Sequence, residues 1–177
     1  MHLGMVRSLL LWDSTFSNCS GTHAGALSIR QGSTVPSFVQ ETLRITRCLF
    51  ANNHAVRTGG SVVLDAVTTG VEFLSCTFEN STAATSTGGA VQLLASQMRI
   101  TVDFGSCTFL RSEANRGGAI FASSVQLNVY STTFSHTYGQ WSDRHWDWLG
   151  LLRGGWEASQ AFAYFLSLLF CFLFTRF

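Results

Sequence analysis

A three-residue pattern ending in phenylalanine recurs five times and constrains the fold more than any other feature of this 177-residue chain. Each copy reads Ser, Cys or Thr, then any residue, then Phe, and the phenylalanines follow one another at intervals of 34, 28, 31 and 25 residues. Two apolar residues precede each Phe by seven and five positions, and a small residue follows it by five. Periods of this length are typical of repeat architectures. The repeated phenylalanines are Phe16, Phe50, Phe78, Phe109 and Phe134.

The spacing within one unit predicts three short strands separated by corners. Apolar residues alternate with others on each piece of the unit, which is the period of a strand. The step from the second apolar residue to the Cys is three, an odd number, so the alternation breaks and a corner must lie there. A Gly-Gly pair precedes the last strand of the middle units and permits another sharp turn. Stacked units would form a three-faced coil, so we predict an all-β fold, a right-handed, single-stranded parallel β-helix of about four to five coils.

The residues shared by the units are predicted to face inward and to form the core. Burial of each stacked Phe contributes roughly 1.5–3 kcal/mol, and the stacked cysteines would form a second column. No Cys-x-x-Cys pair is present, so packing explains the cysteines better than zinc binding or redox chemistry, although oxidation of a stacked pair stays open. The predicted structural residues are Cys48, Cys76, Cys107, Phe50, Phe78, Phe109, Gly60, Gly89 and Gly118.

Two short motifs carry a resemblance to known proteins. Phe-x-x-Asn stands at Phe50 to Asn53, and Gly-Gly-Ala-Ile stands at Gly117 to Ile120. With these motifs, residues 9–139 resemble the repeats of chlamydial polymorphic outer-membrane proteins and, more broadly, the pectin-lyase-like right-handed β-helix class. The resemblance implies the β-helix fold and a place at a cell surface. Membership of a class that includes polysaccharide lyases and hydrolases would also imply that catalytic groups point outward from the strands.

The repeat ends near residue 139, where the composition changes. Residues 1–139 form the predicted β-helix, residues 140–157 a tryptophan-rich linker, and residues 158–177 an apolar tail that we expect to be helical. Three interpretations of the tail stay open: a transmembrane helix, a cap over the last coil, or a non-native end. A helix over residues 161–174 would be about 21 Å long, whereas a bilayer core is about 30 Å thick, so a span would need the preceding residues as well.

Composition argues against several classes of function. Charged residues make up 12% of the chain and the formal net charge is +1, so no nucleic-acid partner is expected. The five histidines share no metal-like spacing, and Gly-Gly-Ala-Ile lacks the Lys and the Ser or Thr of a phosphate loop. The apolar run at residues 9–12 is shorter than the roughly seven to fifteen residues of a secretory signal. We therefore predict no cofactor, no metal and no signal peptide.

Residues between the inward positions are predicted to face outward in rows, each row holding the same position of successive coils about 4.8 Å apart. The first row contains Arg44, Glu72 and Asp103. Neighbouring carboxylates suit acid–base catalysis or Ca²⁺, although an exposed strand with one ion pair explains the row more simply. The second row contains Thr77 and Thr108, a hydroxyl ladder for binding an ordered surface or merely good strand residues. These five residues are the candidate ligand-binding set, with Glu72 and Asp103 as the candidate catalytic pair. A third row holds Ser28, Val63, Gln92 and Phe121.

Two glycosylation sequons begin at Asn18 and Asn80, each two residues after a repeated Phe. Both are expected to be exposed at the corner that follows the Phe. They would matter only if the chain enters a secretory pathway.

The leading functional prediction is a non-enzymatic module of a membrane, a cell surface or the extracellular space, with a structural, adhesive or carbohydrate-binding role. Its partners would be carbohydrate or another cell-surface ligand, a membrane reached through residues 158–177, and neighbouring β-helix coils if the chain is a fragment. One alternative is a carbohydrate-active β-helix enzyme, like a polysaccharide lyase or hydrolase, or its degenerate relative. Another is a fragment without independent function. A concave groove at Glu72 and Asp103 would favour the enzyme, and a flat face would favour the module.

Overall fold

Four parallel sheets of five strands each make up the computed structural model, which describes residues 1–4, 8–30, 42–67, 69–95 and 100–139. Every strand pairs in parallel with the strands four places earlier and four places later in the chain, where these exist. The chain therefore winds around one axis, and successive turns hydrogen-bond to each other. This confirms the predicted all-β parallel β-solenoid. About three turns are covered by neighbours on both sides, compared with the four to five coils predicted.

We label the four sheets A to D. In every turn the chain passes through one strand of sheet B, then one each of sheets C, D and A. Sheet A contains β1 (His2–Gly4), β5 (Leu27–Arg30), β9 (Val62–Val67), β13 (Val91–Ala95) and β17 (Ile120–Ser123). Sheet B contains β2 (Leu9–Trp12), β6 (Thr42–Thr46), β10 (Gly70–Leu74), β14 (Ile100–Gly105) and β18 (Val125–Tyr130). Sheet C contains β3 (Thr15–Ser17), β7 (Leu49–Ala51), β11 (Thr77–Glu79), β15 (Thr108–Leu110) and β19 (Thr133–Ser135). Sheet D contains β4 (Ser20–Gly21), β8 (His54–Ala55), β12 (Thr82–Thr87), β16 (Glu113–Arg116) and β20 (Tyr138–Gly139). The predicted linker and apolar tail, residues 140–177, lie outside the described residues.

Each turn has four strands, so the prediction of three strands per unit is wrong. The additional strand is the one in sheet D, which starts four residues after the repeated Phe. Three of its five copies are only two residues long, too short to show an alternating pattern in the sequence. The strand forms because its inward residues are small enough for the turn to close, and Ala55, Ala83 and Ala114 are almost completely buried there.

Two corners of each turn depend on non-glycine residues with positive φ, a conformation that few side chains favour. One corner residue lies three positions before the Phe and the other lies two positions after it. In the first four turns both donate a backbone hydrogen bond to the next turn, for example from Arg47 N to Leu74 O at 2.8 Å, which helps to offset the strain. The first set is Asp13, Arg47, Ser75, Ser106 and Ser131, and the second is Asn18, Asn52, Asn80, Arg111 and His136.

The glycine pair before sheet A has two different roles. The first glycine adopts positive φ, +70° at Gly88, where a side chain would be strained. The second lies against the neighbouring turn, since a Cβ on Gly89 would be 1.8 Å from the carbonyl oxygen of Gly118. Gly60 is equally crowded, at 1.9 Å from Gly89 O. The pair therefore makes the corner and also allows two turns to approach closely.

The interior is filled by columns of stacked side chains. Phe50, Phe78 and Phe109 are fully buried, and their rings stack face to face with centroids 4.9 and 4.7 Å apart. Phe73 and Phe104 form a second stack at 4.7 Å and meet the first edge to face. Parallel pairing thus brings identical residues of successive turns into contact, which is why one repeated Phe supplies much of the core.

The Ser, Cys or Thr that precedes each Phe caps a corner carbonyl. In every turn its hydroxyl or thiol donates to the carbonyl oxygen two residues earlier, from Ser14 to Trp12 at 2.8 Å and from Cys76 to Leu74 at 3.5 Å. Cys48, Cys107 and Thr132 make the same contact at 3.3, 3.4 and 3.0 Å. The three cysteines are 1–2% exposed. A small side chain with a proton to donate is therefore needed here, which explains why Ser, Cys and Thr alternate at this position.

The asparagine of the Phe-x-x-Asn motif is a buried connector between turns. Asn53 is 1% exposed, its Nδ2 donates to Phe16 O at 3.1 Å and to Ser61 Oγ at 3.2 Å, and its Oδ1 accepts from Cys19 N at 3.0 Å. Ser61 in turn shares a 2.7 Å hydrogen bond with Ser81. The motif therefore has a structural role, because it satisfies buried polar groups of two turns.

Candidate functional site

The first row of outward residues, Arg44, Glu72 and Asp103, lies on sheet B with its members in register, and we call it the acidic row. Arg44 is the direct neighbour of Glu72, and Glu72 is the direct neighbour of Asp103. Arg44 Nε donates to Glu72 Oε2 at 2.6 Å, whereas Asn128 Nδ2 donates to Asp103 Oδ1 at 2.8 Å. Each carboxylate is thus paired with a different neighbour, on the side away from the other carboxylate. Two carboxylates also supply fewer oxygens than the six to eight that Ca²⁺ takes.

Solvent reaches this row readily. The Arg44 side chain is 50% exposed and that of Glu72 is 29% exposed. At such exposure an ion pair contributes only about 0–1 kcal/mol. The arrangement holds two carboxylates on adjacent strands whose backbones lie about 4.8 Å apart.

The threonine row lies on sheet C. Thr77 pairs in register with Thr108, and Thr108 pairs with Thr133. Leu49 interrupts the row between Thr15 and Thr77. The two central threonines are half-buried and the two outer ones are exposed. The row therefore presents hydroxyl and methyl groups at the strand spacing on one face of the solenoid.

The row on sheet A does not face solvent as predicted. Val63 is 5% exposed and Gln92 is 6% exposed, although both lie at the expected register positions. Gln92 Nε2 donates to Thr87 Oγ1 at 2.9 Å, and Gly59 lies directly beside the Val63 side chain. The corner segment that leads from sheet D to sheet A folds over this row, so it offers no free surface at these two positions.

Sheet D carries a polar row that the sequence interpretation missed. Thr82 lies between His54 and Glu113 in register, and Thr82 Oγ1 is 2.7 Å from His54 Nδ1. A catalytic triad would need His in the middle, but here Thr82 separates His54 from Glu113 by two strand spacings, roughly 9.5 Å. The signal in the sequence was a mostly polar residue four positions after each Phe, which a three-strand unit left in a loop.

A shallow depression borders this row. Its volume is about 180 Å³, and it is lined by His54, Thr82, Glu113, Asn115 and three alanines. Pockets for drug-sized ligands are larger, about 300–1,000 Å³. The depression therefore suits a single ring or a group that projects from a longer ligand.

The two sequons differ in accessibility. Asn18 is exposed at its corner, as predicted. Asn80 is half-buried, its Nδ2 donates to Asn52 Oδ1 at 2.8 Å, and its Oδ1 accepts from Arg111. The expectation that both asparagines are exposed is therefore wrong for Asn80, because neighbouring corner residues hydrogen-bond to each other.

Three of the cysteines, Cys48, Cys76 and Cys107, are shielded from solvent. A hydrogen bond to Cys107 and burial raise the pKa of the Cys76 thiol, and the same hydrogen bond lowers the pKa of Cys107. Burial raises the pKa of Cys48. The four cysteines in the described part of the chain are free thiols, and the fifth, Cys171, lies outside it. The stacked thiols therefore have a packing and capping role in this structure.

The described ranges contain no group of three or more His, Cys, Asp or Glu residues placed to hold a metal ion. They also contain no helix that is long and apolar enough to cross a membrane, and residues 158–177 lie outside them. Comparison with protein-family models, curated proteins and solved structures found no match for the chain.

Proposed function

We propose that this protein is a non-enzymatic surface or secreted module, with a structural or adhesive role, that binds extended carbohydrate along sheets C and D. The observation that carries the proposal is the threonine row, which includes Thr77 and Thr108 at the strand spacing of about 4.8 Å. The polar row of His54, Thr82 and Glu113 lies on the adjoining sheet. Together they offer hydrogen-bonding groups over an extended surface, in place of one enclosed pocket.

The chemistry of these rows suits sugars. Threonine hydroxyls both donate and accept hydrogen bonds, as sugar hydroxyls do. The β-branched side chain is already restricted at χ1, so little conformational entropy is lost when a ligand binds. Threonines of successive turns are about 4.8 Å apart, which is comparable to the length of one sugar ring. Successive sugar residues of a linear polysaccharide would therefore meet successive turns.

The proposal also includes the handedness of the solenoid, its resemblance to known families and its attachment to a membrane. Right-handed winding is supported by the general rule that about 98% of parallel crossover connections within one sheet are right-handed. Similarity to pectin-lyase-like proteins and to chlamydial repeats is supported by the two sequence motifs. Surface placement and membrane attachment through residues 158–177 rest on the apolar composition of that segment. Carbonate extraction of the full chain tests attachment, which complete release into the soluble fraction would exclude.

Pull-down of the full chain with insoluble neutral and acidic polysaccharides tests carbohydrate binding. Replacing both Thr77 and Thr108 by Ala is expected to weaken binding by about tenfold or more, since two hydrogen bonds of about 1 kcal/mol each are lost. Replacing Thr101 and Gln126 by Ala, on neighbouring strands of sheet B, is the matched control and is expected to leave binding unchanged. Failure to bind any polysaccharide, or equal losses in both variants, would contradict the proposal.

A carbohydrate-active enzyme is the second candidate, favoured by the adjacent Glu72 and Asp103. Neighbouring strands place the backbones that carry these carboxylates about 4.8 Å apart, whereas the two carboxyl groups of retaining glycosidases are roughly 5–5.5 Å apart. The assay is release of reducing ends, or of unsaturated uronic acids, from the same polysaccharides. Our proposal predicts no release. Turnover that disappears in both Glu72→Gln and Asp103→Asn would replace it with the enzyme.

A further inference from the structure

The first and the last described turns of the solenoid both expose large apolar residues. Six large apolar side chains in the described residues are exposed, and five of them lie at the ends. Leu10 and Trp12 are 57% and 59% exposed on the first turn, and Tyr130 and Tyr138 are 45% and 59% exposed on the last. Met1 also lies at the first end. At the same row positions of the middle turns, the exposed side chains are charged or polar, namely Arg44, His54 and Glu113.

The end strands also lack the usual protection against edge pairing. Natural sheet edges carry charges, proline or bulges that prevent another strand from adding. Residues 8–21 contain one charged side chain, Asp13, which already pairs with Arg47, and residues 124–139 contain no Asp, Glu, Lys or Arg. Strands β2, β3 and β4 at one end, and β18, β19 and β20 at the other, each have one described neighbour. Among the described residues no strand pairs with their outer edges, which is where a further parallel strand would add.

The order of the strands makes the ends fit each other. The described chain begins with a strand of sheet A and ends with a strand of sheet D, so the next strand around the axis would again belong to sheet A. A second copy placed on the last turn would therefore add its β1, β2, β3 and β4 to β17, β18, β19 and β20. Every sheet would continue without a break, and residues at the same row position in the two copies would lie side by side.

We propose that the last turn of one copy stacks on the first turn of another copy, head to tail, through continuous parallel sheets. The junction would stack Phe134 on Phe16 as each Phe stacks on the next within the chain, where the centroids are 4.7–5.1 Å apart. It would also place Tyr130 beside Trp12 and Thr133 beside Thr15, with no like charges opposed. Such contacts do not close into a ring, so assembly would produce rods. Each copy would add five strand spacings, or about 24 Å.

A charge-swap pair tests this junction in the full chain. Thr15 and Thr133 are exposed and lie four strand spacings apart within one copy, about 19 Å, so they can face each other only between copies. The Thr15→Lys, Thr133→Lys double variant is expected to weaken association by about tenfold or more at low ionic strength, measured by sedimentation. The Thr15→Lys, Thr133→Glu double variant is expected to restore it. Thr101→Lys, on an inner strand of sheet B, is the matched control and is expected to associate like the unmodified protein.

Three results would overturn the proposal. One is an unmodified protein that stays monomeric at every concentration, which would mean that the ends are covered, for example by residues 140–177. Another is an association that is equal in the two charge variants, because it would then involve another surface. The third is a particle in electron micrographs whose length does not grow in steps of about 24 Å. Circular dichroism of each variant shows whether it is folded, and mixing the single variants Thr15→Lys and Thr133→Glu gives a second measure of the same junction.

Discussion

Replacement of Gly89 by alanine is expected to destabilise the protein severely, although it adds a single methyl group. The new Cβ would lie 1.8 Å from Gly118 O and 2.7 Å from Glu113 N, and both of these atoms are backbone atoms of the next turn. Real Cβ atoms stay at least 3.0 Å from such neighbours, so the two turns would have to separate by about 1.2 Å at this point.

The cost follows from the hydrogen bonds that hold these turns together. Gly89 N donates to Gly117 O at 3.1 Å, and Ala90 N donates to Ala119 O at 2.8 Å. Weakening both bonds would cost about 0.5–1.5 kcal/mol each, and overpacking adds about 1–3 kcal/mol. We expect the free energy of unfolding to fall by about 2–6 kcal/mol, a large part of the stability of an ordinary domain.

Urea unfolding of the full chain, followed by circular dichroism, measures this loss. Gly70→Ala is the matched control, because its Cβ would be 3.9 Å from Thr101 O, and alanine is favoured over glycine within a strand by about 0.5–1 kcal/mol. Gly118→Ala should cost less than Gly89→Ala, because its Cβ would be 2.6 Å from the backbone of Tyr138, compared with 1.8 Å from Gly118 O for Gly89. A loss below about 1 kcal/mol for Gly89→Ala would refute the close-approach argument.

Three further predictions concern the core and one ion pair. Phe78→Ala is expected to lower the free energy of unfolding by about 3–5 kcal/mol in the same urea assay, and Phe16→Ala by less, since Phe16 stacks on one ring and Phe78 on two; equal losses would contradict the stacking argument. Iodoacetamide at about pH 8 should label Cys76 only as fast as the protein unfolds, because the pKa of this thiol is raised and the residue is 1% exposed. The half-buried Cys19 should be labelled sooner, as measured by peptide mass spectrometry. Fast labelling of Cys76 in the native protein would oppose this prediction. The hydrogen bond from Arg47 lowers the pKa of Asp13, so any stability it adds is present above its unfolded pKa and is lost as pH falls through the folded pKa. The stability difference between the protein and Asp13→Asn should therefore shrink as pH is lowered from about 6 to below about 3 in urea titrations, and a difference that grows on acidification would oppose the prediction.

The neighbours on the candidate rows could be read from the sequence. Arg44, Glu72 and Asp103 occupy the same position relative to the repeated Phe, and parallel pairing places equal positions side by side. Their hydrogen-bond partners could not be read in the same way. Glu72 had an obvious partner in Arg44, but Asp103 accepts from Asn128 on its other side, and this choice depends on side-chain rotamers. The pairing of each carboxylate away from the other is therefore a result of the three-dimensional structure.

The sequence by itself determined the parallel solenoid, its stacked columns and the register of its rows. The physical reason is that side chains alternate with a period of two along a strand, so a pattern repeated in the same phase must place identical residues in contact. Only the tertiary structure decided that each turn has four sides, that Val63 and Gln92 are covered, and that Asn80 is engaged by its neighbours. These features depend on the sign of φ at single corner residues and on how closely one turn approaches the next. Residue type specifies neither of them, because Arg47 and Arg111 adopt the same left-handed backbone as asparagine when the adjoining turn holds them there.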